Sequence, residues 1–325
     1  PWQTDHLIGR HVRGERVALV VDHSDQLSPL RRAPDVLSQR RRLPVWIEVD
    51  VGQRRGGVEP SDRERLVGLA EVVTRDRRLE LVGVLTHGGQ SYAGRSAAEI
   101  AAVAETERCG ALEAAEQLRA AGFPVPSVSV GSTPGIKHAN GWRGVTELRP
   151  GVYQFGDLDQ LGLGSIGDVS NIAVRVLTRI RSIYPRRREV VIDAGSLALS
   201  ADTRAERTLP GSGFGWVVDP AGRLVRGLVV RSASQEHGVI GLDEARLTES
   251  QTAVVPSADG DGAADRAAAE SALASWRVGD RLQILPHHAC LTAAAHDGYW
   301  VVDDGRVVDW WSRCNGWRGL SPDGG

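Results

Sequence analysis

The segment QILPHHACLTAAAH, residues 283–296, places two histidines and a cysteine within four consecutive positions. In an extended segment, residues two apart point to the same side, so His288 and Cys290 could bind one metal ion while His287 faces away. An imidazole and a thiolate suit Zn²⁺, and only two protein ligands would leave positions open for substrate or water, as catalytic zinc requires. His287 is the rival ligand, and a buried histidine pair without a metal is the alternative interpretation.

A second group of polar residues lies in the loop VGSTPG, residues 130–135, which directly follows a predicted strand. The backbone N–H groups of such a glycine-rich turn, together with the hydroxyls of Ser132 and Thr133, could bind a phosphate. A plain turn is the alternative, because Ser, Thr, Pro and Gly dominate turns in general.

Two further strand ends carry residues that could contact a ligand. In THGGQSYAG, His87 could carry a proton or stack against a flat ring, and Tyr92 could form a hydrogen bond to a ligand. A histidine that is satisfied by the protein itself is the alternative for His87. In VDVGQRRGGV, Arg55 could bind a carboxylate or a phosphate, whereas an ion pair between Asp50 and Arg55 is the structural alternative.

The elements that must position these residues change character along the chain. From residue 16 to about 166, short apolar runs alternate with amphipathic ones, which predicts parallel strands covered by helices. After residue 165, period-2 alternation and tight turns predict mostly antiparallel β structure. We therefore expect two domains, residues 1–167 with the loops around His87 and Ser132 and residues 168–325 with the histidine–cysteine pair.

Three local features carry narrower expectations. The run PSDRERLVGLAEVVT predicts a helix with Ser61 as its N-cap. Cys109 lies in an Ala/Glu-rich helical stretch and is expected to be a small buried side chain. The sequence SQEHG could bring Glu236 or His237 to the site, or form only a polar β-turn.

Composition restricts the class of protein. The formal net charge is -2 over 325 residues, which provides no electrostatic basis for binding nucleic acid or an anionic membrane. No apolar run approaches the roughly 18 residues of a membrane span. Three cysteines, Cys109, Cys290 and Cys314, are too few for a disulfide framework, so thiols in a reducing cytoplasm are expected.

The chain resembles the D-serine dehydratase and D-threonine aldolase family through a series of motifs in order: HGG-x-S-Y, VGSTPG, ELRPGVYQFGDLDQ, VVIDAGSLALS-x-D, SQEHG and LPHHAC. The likeness spans nearly all of the chain. It implies a TIM-like α/β barrel of the alanine-racemase type that binds pyridoxal 5'-phosphate, followed by a C-terminal antiparallel β domain. It also implies a small D-amino acid as substrate and a homodimer.

The resemblance also assigns individual residues. His288 and Cys290 match the family's zinc pair, and a cysteine at the second position favours the dehydratases, since D-threonine aldolases usually have Asp there. The loop from Gly131 to Thr133 matches the segment that contacts the cofactor phosphate. Tyr92 matches a tyrosine near the cofactor, and Tyr153 lies in the segment leading to the β domain. The predicted cofactor-binding set is Arg55, His87, Tyr92, Gly131, Ser132, Thr133 and Tyr153.

One departure from the family concerns lysine. The family's cofactor-bearing lysine lies in an N-terminal stretch like R-P-H-x-K-T-H-K, and this chain has no such stretch. Lys137, the only lysine, follows the phosphate loop and is predicted to be a rim residue. We therefore expect an N-terminally incomplete barrel.

Three functions follow from the resemblance and this departure. The first is elimination of the β-hydroxyl of a D-serine-like substrate to give a 2-oxo acid and ammonia. The second is aldolase cleavage of the Cα–Cβ bond. The third is non-catalytic binding of cofactor and metal.

Overall fold

A computed structural model describes residues 2–31, 41–243 and 262–313 of the chain. It consists of two compact units, Pro1–Gly151 and Val152–Gly325. The division falls before the predicted end of the first domain at residue 167, because the segment that follows Val152 is bonded to the second unit. There the N–H groups of Leu158 and Asp159 donate to the backbone carbonyls of Pro286 and His287.

The first unit contains a five-stranded parallel sheet in the order β1-β2-β3-β4-β5. Its strands are short and their apolar side chains are buried, as in β2, where Leu43, Val45 and Ile47 are fully buried. The strands are β1 (Leu19–Val21), β2 (Leu43–Glu48), β3 (Leu79–Leu85), β4 (Ser127–Val130) and β5 (Glu147–Leu148). This open parallel sheet with its helices fits part of a TIM-like barrel, as predicted.

Helices alternate with these strands. They are α1 (Trp2–Val12), α2 (Arg63–Arg75), α3 (Ala97–Ala120) and α4 (Thr133–His138). The N-cap predicted for α2 was wrong by one residue, because the Asp62 carboxylate, and not Ser61, accepts the N–H of Arg65 at 3.1 Å. Both residue types cap helices well, so sequence alone does not distinguish them.

The second unit is built around a closed barrel of antiparallel strands in the order β10-β7-β6-β11-β8-β9. These strands are β6 (Val176–Tyr184), β7 (Glu189–Ile192), β8 (Trp216–Val218), β9 (Leu224–Ala233), β10 (Gly238–Leu242) and β11 (Arg281–Leu285). A separate hairpin pairs β12 (Gly298–Asp303) with β13 (Arg306–Ser312). The prediction of an antiparallel C-terminal domain is confirmed.

Short helices connect the strands of the second unit. They are α5 (Leu158–Gly162), α6 (Ser196–Leu199), α7 (Gly262–Ser275) and α8 (Ala289–Ala294). Residues 244–261, which precede α7, lie outside the described residues, as does Cys314. Within the described parts of the chain, no helix is both long enough and apolar enough to span a bilayer.

Two glycine-to-alanine substitutions, one in β3 and one in α2, test how closely the first unit is packed. A Cβ on Gly83, in β3, would collide with the carbonyl of Ser127 and come within 2.7 Å of the Trp46 ring. Gly83→Ala should therefore lower the free energy of unfolding by about 1–3 kcal/mol. Gly68, exposed in α2, has open space around it, so Gly68→Ala should instead raise stability by about 0.5–1 kcal/mol. Chemical denaturation measures the free energy of unfolding of both variants. A Gly83→Ala variant as stable as the wild-type protein would contradict the close packing at Gly83.

Candidate functional site

The loops after β3 and β4 meet at His87. Its Nδ1 lies 2.5 Å from the carbonyl oxygen of Gly131. Because a carbonyl only accepts, Nδ1 carries the proton and Nε2 presents a lone pair. Burial lowers the pKa of His87, with the charges of Arg55 and Arg149 acting in the same direction. The half-buried ring is therefore neutral near pH 7 and can accept a hydrogen bond from a ligand.

The phosphate-type loop begins at Gly131, whose backbone passes so close to Arg149 that a Cβ would lie 2.7 Å from that residue's nitrogen. Ser132 is the N-cap of α4, and its hydroxyl lies 2.8 Å from that of Ser91. Thr133 is buried, and its hydroxyl has no hydrogen-bond partner among the described residues. A buried hydroxyl without a partner costs about 1–3 kcal/mol, and a phosphate oxygen would satisfy it. The loop therefore fits a phosphate group.

Arg55 is exposed near this loop, at a position where its charge influences His87. The alternative ion pair with Asp50 is not observed among the described residues, since the Asp50 carboxylate accepts the N–H groups of Gly52 and Arg54 instead. Arg55 is thus not held by Asp50, and its predicted role in binding an anion stays a prediction.

The two tyrosines of the predicted cofactor set lie in different units. The ring of Tyr92 is 6.4 Å from that of His87, at an interplanar angle of 42°, so both flank the same loop. Tyr153 belongs to the second unit, and its side chain is 58% exposed. The role of Tyr153 toward the cofactor stays a prediction.

In the second unit, the histidine–cysteine pair lies where β11 leads into α8. His288 is the N-cap of α8 with extended backbone angles, whereas Cys290 is already in the first helical turn. The prediction that both residues belong to one extended segment was therefore wrong, because the chain turns into a helix directly after His288. Cys290 is an exposed residue, but its sulfur is partly desolvated, and this desolvation followed by the charge of Asp157 raises the pKa of the thiol.

The ring of His288 is oriented by Asp202. Its Nδ1 lies 2.8 Å from the Asp202 carboxylate, which directs the other nitrogen, Nε2, away from this partner. Partial burial opposes ionisation of Asp202, but the hydrogen bonds from His288 and the Arg204 N–H prevail and lower its pKa. A carboxylate behind a histidine is the common arrangement around metal-bound imidazoles, because it fixes the tautomer and the ring orientation. The donor set of Nε2 and a thiolate fits zinc.

Asp157 fixes the segment that carries this pair. It caps α5, and its two oxygens accept the N–H groups of Gln160 and Ala289, each at 2.8 Å. Burial raises the pKa of Asp157. The neighbouring Asp159 is also buried, and burial together with the charge of Asp157 raises its pKa to about 7.

His287, the rival ligand, is buried beside this pair. Neither ring nitrogen has a hydrogen-bond partner within 3.5 Å among the described residues. Burial lowers the pKa of His287, while the Ser212 backbone acts in the opposite direction. Among the described residues, those around His288 and Cys290 included, no group of three or more His, Cys, Asp or Glu side chains is placed to hold one metal ion.

Several residues singled out in the sequence lie away from these groups. Glu236 and His237 form an exposed turn between β9 and β10, which matches the β-turn alternative. The expectation that Cys109 is buried was wrong, since its thiol is exposed on α3 and donates to Glu105 at 3.3 Å. Lys137 is exposed on α4.

Sequence reasoning missed two carboxylates at these sites. Asp202 lies in the S-x-D motif that contributed to the resemblance, but nothing local indicated that it contacts His288. Glu107 is fully buried in α3, and it lies three residues after Ala104 and four before Ala111, both of which are also buried. An acidic residue on the core-facing stripe of a helix is the signal that could have identified it.

Two domain families match the chain. The sequence model of the alanine racemase N-terminal domain matches residues 7–159, and that of a serine dehydratase domain matches residues 173–302. D-threo-3-hydroxyaspartate dehydratase of Delftia sp. strain HT23 is 37% identical over 280 residues, or 86% of this chain and 67% of that enzyme. The D-serine dehydratase of Dictyostelium discoideum is 28% identical over 281 residues, or 83% and 64%. The D-threonine aldolase of an Arthrobacter species is 28% identical over 312 residues, or 94% and 69%.

The chain belongs to the D-serine dehydratase and D-threonine aldolase family. It spans about two thirds of the length of these three relatives. The solved structure of the Delftia dehydratase superposes with a TM-score of 0.80 at 34% identity, covering 98% of this chain and 77% of that one. Solved forms of that enzyme include a cysteine-to-alanine variant in the metal-free form and a variant of a histidine two positions earlier. The predicted family and fold are thus confirmed.

The first site prediction concerns Asp202 as the partner of His288. Asp202→Asn removes the negative charge behind the ring, so we expect zinc affinity to fall by roughly 10–100-fold. Competition with a chromophoric chelator measures this affinity. Asp303→Asn, an exposed change on β12, is the control and should have no effect. Unchanged zinc affinity in Asp202→Asn would remove Asp202 from the metal site.

The second site prediction concerns the unpartnered hydroxyl of Thr133. Thr133→Val keeps the shape and removes the hydroxyl, so unfolding free energy should stay the same or rise. Affinity for inorganic phosphate should fall by about tenfold, because one hydrogen bond to a charged oxygen is lost. Calorimetric titration and denaturation measure the two quantities, with the exposed Thr106→Val as the control. A destabilised variant with normal phosphate affinity would assign the hydroxyl to the fold.

Proposed function

We propose that this protein is a lyase that eliminates the β-hydroxyl of a D-amino acid, giving a 2-oxo acid and ammonia, with pyridoxal 5'-phosphate and zinc as cofactors. The observation that carries the proposal is the hydrogen bond of 2.8 Å between His288 and Asp202, two residues before Cys290, in a member of this family. This arrangement supports a metal ion with open positions, which elimination of a poor leaving group requires.

The first unit supplies the residues for the cofactor. Thr133 and Ser132 would hold its phosphate, while the neutral His87 offers Nε2 as a hydrogen-bond acceptor and Tyr92 lies beside it. When bound, pyridoxal 5'-phosphate withdraws electrons from the substrate and so acidifies its Cα–H bond. Lys137 is exposed on α4, so this proposal gives it no part in the chemistry.

The second unit supplies the residues for the metal. The Nε2 atom of His288 and the thiolate of Cys290 would bind zinc, whose positive charge offsets the raised pKa of the thiol. Zinc, when bound, acts as a Lewis acid on the departing hydroxyl. The histidine and cysteine substituted in the Delftia dehydratase have the same spacing as His288 and Cys290, and the cysteine variant is metal-free, which supports this assignment.

A second substrate candidate is favoured by the charges around Cys290. Burial and the charge of Asp157 raise the pKa of this thiol, and the charges of Arg204 and Arg313 act in the opposite direction. Arg204 forms ion pairs with Asp202 at 3.7 Å and with Asp159 at 3.9 Å. The guanidinium groups of Arg204 and Arg313 near Cys290 suit a substrate with a carboxylate on its β-carbon. We therefore propose D-threo-3-hydroxyaspartate, the substrate named for the Delftia relative, alongside D-serine.

The experiment expresses the protein from its full open reading frame and supplies three substrates in turn. D-Serine should give pyruvate, D-threo-3-hydroxyaspartate should give oxaloacetate, and D-threonine tests for acetaldehyde and glycine from an aldolase. We expect kcat/KM for the hydroxyaspartate to exceed that for D-serine by about tenfold, the size of one charge-assisted hydrogen bond.

Three variants test the assigned roles. His288→Ala and Cys290→Ala should abolish turnover while the visible absorbance of the bound cofactor survives, and Cys109→Ala is the matched cysteine control. Release of acetaldehyde without 2-oxo acid would identify an aldolase. Cofactor binding without any turnover would support the non-catalytic alternative and contradict the lyase. The homodimer and the cytoplasmic location stay predictions.

A further inference from the structure

Glu107 is a fully buried acidic residue in the middle of α3. A carboxylate is among the least favourable groups to bury, because it loses its hydration unless the protein supplies donors. Its neighbours on the buried face of the helix, Ala104 and Ala111, are small and apolar. Such a residue requires a partner that repays the burial.

The partners are the two loops of the candidate cofactor site. A single oxygen, Oε1, accepts the N–H of Gly88 at 2.7 Å and the N–H of Gly131 at 2.9 Å. Gly88 directly follows His87, and Gly131 directly precedes Ser132. One carboxylate oxygen on a helix therefore joins the loop after β3 to the loop after β4.

The fit around this carboxylate is close. A Cβ on Gly88 would lie 2.7 Å from the carboxyl carbon of Glu107, so only glycine fits there without movement. The second oxygen, Oε2, has no hydrogen-bond partner among the described residues. Two further bonds join the same loops, from His87 to Gly131 and between the hydroxyls of Ser91 and Ser132. Of these contacts, only those of Glu107 come from the long helix α3, whereas the other two join residues of the two loops directly.

We propose that Glu107 is a positioning residue for the cofactor phosphate: it fixes the distance between the two loops and thereby the placement of Ser132 and Thr133. This inference rests on the proposed cofactor. Because the N–H of Gly131 already donates to Glu107, that amide is committed to the loop structure, and the Thr133 hydroxyl, which has no partner among the described residues, remains to contact the phosphate.

The chemistry of the carboxyl group indicates which substitution preserves this role. Burial raises the pKa of Glu107, while the N–H groups of Gly131 and Gly88 and the charge of Arg149 act in the opposite direction. The oxygen that accepts both N–H groups is present in the charged and in the neutral form. A glutamine has the same length and retains one such oxygen, so Glu107→Gln should keep the loops in place.

The experiment measures how much the phosphate group adds to binding. The 325-residue chain is titrated with pyridoxine 5'-phosphate and with pyridoxine, which have no aldehyde and therefore form no covalent bond with lysine. The dissociation constant for pyridoxine divided by that for pyridoxine 5'-phosphate reports the phosphate contribution. A general loss of folded protein affects both constants equally and leaves this ratio unchanged. Glu116→Gln, an exposed change on the same helix, is the matched control.

We expect Glu107→Ala to lower this ratio by about tenfold, equivalent to about 1.4 kcal/mol, and Glu107→Gln and Glu116→Gln to change it by less than about twofold. If the alanine variant does not fold, Glu107→Asp replaces it, since the shorter side chain cannot hold both N–H groups at the same distance. A folded alanine or aspartate variant with the wild-type ratio would overturn the inference, as would a glutamine variant that loses the phosphate contribution. A wild-type ratio near one would instead refute the proposed cofactor.

Discussion

Backbone N–H groups that donate to a buried carboxylate hold the polar loops of both units in place. In the first unit, Glu107 accepts one N–H from each of two loops, and in the second, Asp157 accepts one from α5 and one from α8. Loops carry many backbone polar groups and few apolar side chains, so hydrophobic burial alone fixes them poorly. A carboxylate that accepts two donors supplies the missing restraint and is itself stabilised by them.

The sequence predicted the elements well, because their signals are local. Apolar periodicity indicated the parallel strands with their helices and the antiparallel second half. The errors occurred where two local solutions are nearly equivalent in energy. Ser61 and Asp62 are both good caps, and Cys109 has a side chain that tolerates burial and exposure alike. The backbone at Cys290 was predicted to be extended, but the chain changes from extended to helical directly after His288. A segment this short contains no signal for the position of that change.

The candidate sites were only half visible in the sequence for a different reason. Motifs identified the residues that would face a ligand, namely Ser132, Thr133, His288 and Cys290. Their supporting partners come from distant positions, as with Asp202, which is 86 positions from His288. A single sequence contains no record of which distant side chains meet, so orienting carboxylates become apparent only once the fold brings them together.

The attachment of both cofactor loops to α3 also affects how this part of the molecule opens. Loop amides usually exchange their hydrogens rapidly, because loops open without disturbing the core. The amides of Gly88 and Gly131 donate to an acceptor that no solvent reaches while Glu107 stays packed. Their release to water requires both hydrogen bonds to Glu107 to break, so we expect these two loop glycines to exchange more slowly than ordinary loop amides.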